Sequence, residues 1–222
     1  MSNSLHENYP NPIMQSWQSA WRNKAFRINI ILGLIVVVAL LIFTYHFFYY
    51  IEHLPGGTNL NDWILRKIPP KDVSLPISLL ESSVIVIFLI RSTTDPNLFV
   101  TFLIGFILIL IFRILTIYIT QLRPPVGLIE LKDPIAGLVY KSAFIKRDLF
   151  YSGHVSILYL FYLCSNKKPD RYYILFTVIS VAILLLIQHV HYTIDVVCAP
   201  FFSFGCFWLT KRLKHFMGIH FI

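Results

Sequence analysis

The sequence is poor in charge. Lys, Arg, Asp and Glu make up 14% of the 222 residues, whereas hydrophobic residues make up 56%. Soluble globular domains are typically about 25% charged. A chain with so little polar surface cannot cover itself in water, and much of it is therefore expected to face lipid.

The sequence pattern also argues against a cysteine framework and against a cleavable leader. Cys164, Cys198 and Cys206 all fall in apolar runs, and no CxxC spacing occurs, which argues against disulfide scaffolds and zinc ribbons. The N-terminal lead is polar, and the first apolar run is too long for the hydrophobic part of a signal peptide. That run is expected to remain as a membrane anchor.

The net charge of +8 does not point to nucleic acid. The cations lie in short segments between apolar runs, where membrane topology and anionic lipid headgroups explain them better. Nucleic acid is therefore not an expected partner.

The apolar runs predict an all-α, polytopic membrane protein built as a bundle of six transmembrane helices. Residues 28–213 would form the membrane catalytic domain, residues 1–27 a cytoplasmic or interfacial N-terminal segment, and residues 214–222 a cytoplasmic tail. Within the first segment, Trp17 and Trp21 favour an interfacial helix, with a disordered tail as the alternative. The predicted spans, of which the fourth is short, are Ile28–Tyr50, Val73–Ile90, Asn97–Thr120, Leu149–Cys164, Tyr172–Val190 and Ile194–Leu213.

The flanking cations set the predicted orientation. Six spans place both termini on one side, and the Lys and Arg residues of the flanks are slightly more numerous there. The positive-inside rule then places both termini in the cytoplasm. Loops 51–72, 121–150 and 190–193 would be extracytoplasmic, and their cations could serve a phosphate site.

Two short segments carry the chemistry. One contains Ser152-Gly153-His154 and the other runs from His191 to Asp195. One helical hairpin separates them, so both return to the same membrane face. Each starts a helix, whose N-terminus suits a phosphate anion, and Gly153 would let the backbone approach it closely.

The second segment has the spacing of a base and the group that orients it. His191 and Asp195 stand four positions apart and share a helix face, so Asp195 can orient the imidazole, as in nucleophilic catalysis. Two histidines and an aspartate could also ligate zinc. In the third predicted span, Arg113 is either a phosphate ligand or the ion-pair partner of Glu81.

The residues from Asp148 to His154 (Asp-Leu-Phe-Tyr-Ser-Gly-His), followed by His191-Tyr-Thr-Ile-Asp195-Val196, resemble the paired signatures of the sphingomyelin synthase family. That family is a branch of the type-2 phosphatidic acid phosphatase superfamily, and the resemblance extends from about residue 54 onward. It implies that His191 is a nucleophile forming a phosphohistidine, that Asp195 activates it, and that His154 is the general acid and then the base. Asp148 matches the family's acidic residue. No metal or cofactor is implied.

The resemblance also suggests substrate-binding residues. Ser152, Gly153 and Tyr192 belong to the two signatures. Arg123, before Pro124-Pro125, partly matches the superfamily's first motif, but Thr116 stands where that motif has Lys. Glu130 or Asp133 would replace an acidic residue near the headgroup, unless both are ordinary loop charges.

Other departures concern the signatures themselves. Val155 replaces the usual Thr, and Ala199-Pro200 replaces Ala-Tyr. The compact chain is more similar to bacterial members, which implies a bacterial inner membrane with the active site on the extracytoplasmic side.

The sequence thus predicts a phosphotransferase that moves a phospho-headgroup from a glycerophospholipid to ceramide or a similar lipid alcohol. The alternative is a lipid phosphatase that uses water as the acceptor. A transporter or a structural membrane protein would leave the two signatures unexplained.

Overall fold

The computed structural model describes residues 12–132 and 145–217. In these ranges the chain is all-α, as predicted, and its only strand-like pairing is an isolated bridge between Thr58 and Leu122. Residues 1–11 of the predicted N-terminal segment and residues 218–222 of the predicted tail lie outside the described residues. Asp133 lies outside them as well. The helices are α1 Pro12–Arg22, α2 Lys24–His53, α3 Ser74–Ser92, α4 Pro96–Thr120, α5 Gly153–Cys164, α6 Lys168–Ile187 and α7 Thr193–Phe216.

Five of the described helices, α2, α3, α4, α6 and α7, are long and apolar enough to cross a membrane. The sixth apolar helix, α5, has 12 residues, about 18 Å at 1.5 Å per residue, and is too short for a hydrocarbon core of about 30 Å. The fourth span was predicted to start at Leu149, whereas the helix starts at Gly153. The preceding residues are not helical, because several of their polar groups bind neighbouring elements, as shown below.

The N-terminal helix α1 packs on the bundle. The Trp17 indole donates a hydrogen bond to the Ser92 carbonyl at 2.9 Å, and Ala20 and Phe26 are buried beside it. The side chain of Asn23 caps α2 by accepting from the amides of Ala25 and Phe26. Of the two alternatives for the first segment, the helix is therefore correct for residues 12–22.

The short helix α5 lies at the centre and packs against α3, α4, α6 and α7. Leu160 of α5 is fully buried, and Phe161 stacks on Phe102 of α4 with ring centroids 4.3 Å apart. Gly105 allows α4 to approach this core, since a Cβ there would lie 2.9 Å from Leu160 Cδ1. The segment that ends in His154 is thus joined to a helix that packs against four others.

The loops at one end of the bundle are fixed by bonds to backbone groups. The Arg147 guanidinium donates to the carbonyls of Ile51, Leu54 and Gly56 at 2.8–3.0 Å, closing the end of α2. Buried Gln188 accepts from the Val73 amide at 3.1 Å and donates to the Ser74 hydroxyl at 2.8 Å. These bonds supply partners for backbone that is not helical.

The close approach at Gly105 gives the first prediction. Replacing Gly105 with Leu should lower the free energy of unfolding by about 1–3 kcal/mol, because the new side chain overpacks Leu160. Gly205 of α7 is the matched control, since a Cβ there would meet no described atom within 4 Å. Thermal unfolding in detergent should show a loss for Gly105→Leu and none for Gly205→Leu. Equal behaviour of the two variants would contradict the packing described here.

Candidate active site

The starts of α5 and α7 meet at one end of the bundle. The Ser152 amide, just before α5, donates to the Asp195 carbonyl in the first turn of α7 at 3.1 Å. The rings of His154 and His191 consequently face each other edge to face, with centroids 6.3 Å apart. The structure therefore brings together two histidines that stand 37 positions apart in the chain.

His191 and Asp195 are almost completely enclosed, with 2% and 0% of their surface exposed. His191 Nδ1 lies 3.5 Å from Asp195 Oδ2, which is within ion-pair range but is not a well-formed hydrogen bond. Asp195 Oδ2 also accepts from the Tyr192 amide at 2.9 Å. The carboxylate is thereby fixed beside one ring nitrogen, which leaves Nε2 as the nitrogen available for chemistry. Such contacts commonly shorten when substrate binds.

His154 has a carboxylate of its own. Its Nδ1 lies 2.8 Å from Glu81 Oε1, a residue of the neighbouring helix α3. Sequence reasoning did not place Glu81 in the site. The signal was present, because a carboxylate in an apolar span is expensive without a partner. Glu81 and His154 stand 73 positions apart in the chain, so the sequence did not indicate that they are partners.

Arg113 pairs with Asp148, not with Glu81, so the ion pair weighed from the sequence is wrong. Its Nε also donates to the Tyr151 carbonyl at 3.1 Å. The guanidinium lies directly over Gly153, where a Cβ would come within 3.0 Å of it. Gly153 is therefore needed for the approach of an arginine, whereas the sequence suggested only the approach of an anion.

Two hydroxyl groups lie at the non-helical segment that precedes α5. Thr116 donates to the Phe150 carbonyl at 2.9 Å, so the residue at the position of the motif's lysine holds backbone. The Ser152 hydroxyl is fully buried and has no hydrogen-bond partner among the described residues. A buried hydroxyl without a partner is a candidate contact for a bound phosphate oxygen.

The other predicted binding residues bind loop backbone. The Tyr192 hydroxyl donates to the Arg123 carbonyl at 3.0 Å, and burial raises the pKa of this phenol. Arg123 Nε donates to the Gly56 carbonyl at 3.2 Å. Glu130 is exposed, and its carbonyl accepts from Gln188. These contacts shape the rim of the site.

Asp62 is a second acidic residue that the sequence did not single out. Its carboxylate accepts from the Thr193 amide at 2.6 Å and from the Thr193 hydroxyl at 3.0 Å, at the start of α7. Burial raises its pKa, but hydrogen bonds from Leu65, Thr193 and Ile64 outweigh this effect and leave the pKa below its ordinary value. Asp62 is thus an ionised cap that ties loop 51–72 to the helix carrying Asp195.

Residues 147–212 match the family model described as PAP2 superfamily C-terminal. The matched range includes both histidines, Asp148 and Asp195. The match supports a relation to the type-2 phosphatidic acid phosphatase superfamily and lipid chemistry of the phosphatase or phosphotransferase type. No curated protein and no solved structure matches the chain significantly.

The contact between Arg113 and Gly153 gives the second prediction. Gly153→Ala should lower the free energy of unfolding by about 1–3 kcal/mol, because the methyl group displaces the guanidinium. Arg113→Ala should also destabilise, since it leaves Asp148 unpaired. In the double variant the clash is absent, so the loss should be smaller than the sum of the single losses. Strict additivity in thermal unfolding would contradict the contact.

Proposed function

We propose that this protein is a membrane phosphotransferase that moves a phospho-headgroup from a glycerophospholipid to the primary hydroxyl of ceramide or a similar lipid alcohol. The observation that carries the proposal is the pair of histidines facing each other at 6.3 Å, each with a carboxylate beside Nδ1. A nucleophile approaching phosphorus needs about 3–3.5 Å, and a hydrogen bond to the leaving oxygen needs about 2.8 Å. A phosphoryl group between the two rings can present phosphorus to one imidazole and its leaving oxygen to the other.

In the first half-reaction His191 is the nucleophile. Its Nε2 lone pair forms a bond to phosphorus while the bond from phosphorus to the diacylglycerol oxygen breaks. The protonated His154 gives its proton to that oxygen, and diacylglycerol leaves. Asp195 stabilises the positive charge that develops on the His191 ring, because the carboxylate lies beside Nδ1.

In the second half-reaction the phosphohistidine is consumed. The acceptor hydroxyl attacks phosphorus, and the neutral His154 takes the hydroxyl proton. The bond between phosphorus and His191 breaks, which restores both histidines. Glu81 keeps the His154 ring in one orientation through both steps and stabilises its charged form.

The remaining predicted residues bind or position. Arg113 lies over the start of α5 and is suited to balance phosphate charge, while Asp148 holds it there. The Ser152 hydroxyl supplies a further contact for a phosphate oxygen. The hydrogen bond from the Tyr192 hydroxyl to the Arg123 carbonyl stabilises the rim of the site.

The second candidate is a lipid phosphatase, in which water replaces the alcohol in the second half-reaction. Both candidates share the phosphohistidine and differ only in the acceptor. Thr116 favours the transferase, because it replaces the lysine of the first phosphatase motif and is used to hold the Phe150 carbonyl. We further propose a bacterial inner membrane, with the site on the extracytoplasmic side.

The third prediction separates the two candidates. Purified protein in lipid is given phosphatidylethanolamine labelled in its phosphate, with and without ceramide. The transferase should place the label on ceramide and release an equal amount of diacylglycerol. An enzyme that uses water as the acceptor should release diacylglycerol and water-soluble labelled phosphoethanolamine in both samples.

Variants of the histidines control this assay. His191→Ala should abolish product, and His154→Ala should lower kcat by about a hundredfold to ten-thousandfold. His53→Ala is the matched control, because His53 is exposed at the end of α2 and its described contacts are with the nearby Tyr49. Full activity of His191→Ala would exclude the mechanism.

The fourth prediction concerns Glu81. Glu81→Gln removes the carboxylate charge beside His154 and should lower kcat by about tenfold to a hundredfold, the value of one charge-assisted hydrogen bond. KM should change little, because Glu81 acts through His154 and not on the bound lipid. A change confined to KM would show that Glu81 has a different role.

A further inference from the structure

A polar cavity lies at the opposite end of the bundle from the histidines. It has a volume of about 580 Å³, which is in the usual range for small-molecule sites. The start of α4, the end of α5, the start of α6 and the end of α7 enclose it. Lys214 stands 21 positions after Thr193, where α7 begins beside the histidines, which corresponds to about 30 Å along the helix. The cavity is therefore separate from the candidate active site.

The lining of the cavity is positively charged. Arg171, Lys211 and Lys214 face it together with His215, and no Asp or Glu is among its described lining residues. Two carboxylates stand at the starts of the neighbouring helices. Asp95 accepts from the Leu98 amide and attracts the charge of Lys214, and Asp170 pairs with Arg91 at 2.6 Å.

Neutral groups hold these cations in place. Lys214 donates to Asn97 and to the Thr101 hydroxyl, the latter at 2.7 Å. Arg171 stacks over Tyr162 at 4.4 Å, and Lys211 lies over Phe207 at 4.6 Å. These amide, hydroxyl and aromatic partners carry no formal charge, and they fix the positions of the cations. The positive ends of the dipoles of α4 and α6 add to the same field.

We propose that this cavity binds the phosphate group of an anionic phospholipid from the leaflet opposite the histidines. A distance of about 30 Å from the histidines equals the thickness of the hydrocarbon core, so the cavity lies at headgroup depth in that leaflet. Basic pockets between transmembrane helices are suited to anionic headgroups. Exposed Phe204 and Trp208 precede Lys211 by two turns and one turn, and they offer apolar surface for the acyl chains.

The fifth prediction tests this site with the full chain in detergent. Phosphatidylglycerol, phosphatidylcholine or inorganic phosphate at matched ionic strength is added, and thermal unfolding is followed by tryptophan fluorescence. A ligand that binds the folded state raises Tm, and the rise grows with the ratio of its concentration to its Kd. Phosphatidylglycerol should raise Tm, whereas phosphatidylcholine should have little effect.

Lys211→Gln should weaken the apparent affinity for phosphatidylglycerol about fivefold, the value of one cation near anionic lipid. Arg212→Gln is the matched control. It removes the same charge from the next residue, which stacks over Trp208 at 5.0 Å and does not line the cavity. The Arg212→Gln variant should keep the wild-type response, because the binding depends on the cavity and not on the general charge of the flank.

Three results would count against the proposal. No rise in Tm with phosphatidylglycerol would exclude the site. If Lys211→Gln and Arg212→Gln weakened the apparent affinity for phosphatidylglycerol equally, the binding would be a general attraction between the basic flank and anionic lipid, and the cavity would not be the site. An equal rise in Tm with inorganic phosphate would leave the phosphate-binding chemistry intact but overturn its assignment to a lipid.

Discussion

The hydrogen bond from the Ser152 amide to the Asp195 carbonyl fixes the starts of two helices at the same depth. His154 is the second residue of α5, and His191 lies two residues before α7 begins. The bond that joins the two helix starts therefore determines the separation of the histidines. Sliding either helix by one turn, about 5.4 Å, would be comparable with the whole distance between the rings. Asp62 supports the same arrangement from a third segment, because it caps the start of α7.

The loops around the site follow from a second constraint. Backbone that is not helical at membrane depth must find partners within the protein. The ring of His189 lies 2.8 Å from the carbonyls of Val126 and Ile68, and Arg147 binds three further carbonyls. Arg147 belongs to a loop whose cations were predicted to serve a phosphate site. In the structure it binds the backbone of the loops around the site instead.

The positions of the site residues that follow from the order of the helices along the chain could be predicted from the sequence. A hairpin returns to the face from which it started, so His154 and His191 had to lie at one end. The spacing of His191 and Asp195 predicted a shared helix face, but α7 begins at Thr193 and His191 precedes it. The two side chains are close because both stand at the start of that helix. The partners of Arg113 and Glu81 could not be predicted. They depend on the rotation of α3 and α4 about their axes, and a single sequence of nearly uniform apolar character carries no signal for that rotation. The four-residue error at the start of α5 has a similar cause, since tertiary bonds of residues 145–152 override their apolar pattern.

The two carboxylates differ in a way that suits the two proposed roles. Asp195 lies on the helix whose start carries His191, so their geometry depends little on how the bundle packs. Glu81 reaches His154 from another helix, and that contact depends on the packing of α3 against α5. A small movement of α3 would therefore change the group that handles the proton while leaving the nucleophile in place. The acceptor must enter between the two half-reactions, and an adjustable proton-transfer group beside a fixed nucleophile is compatible with that exchange.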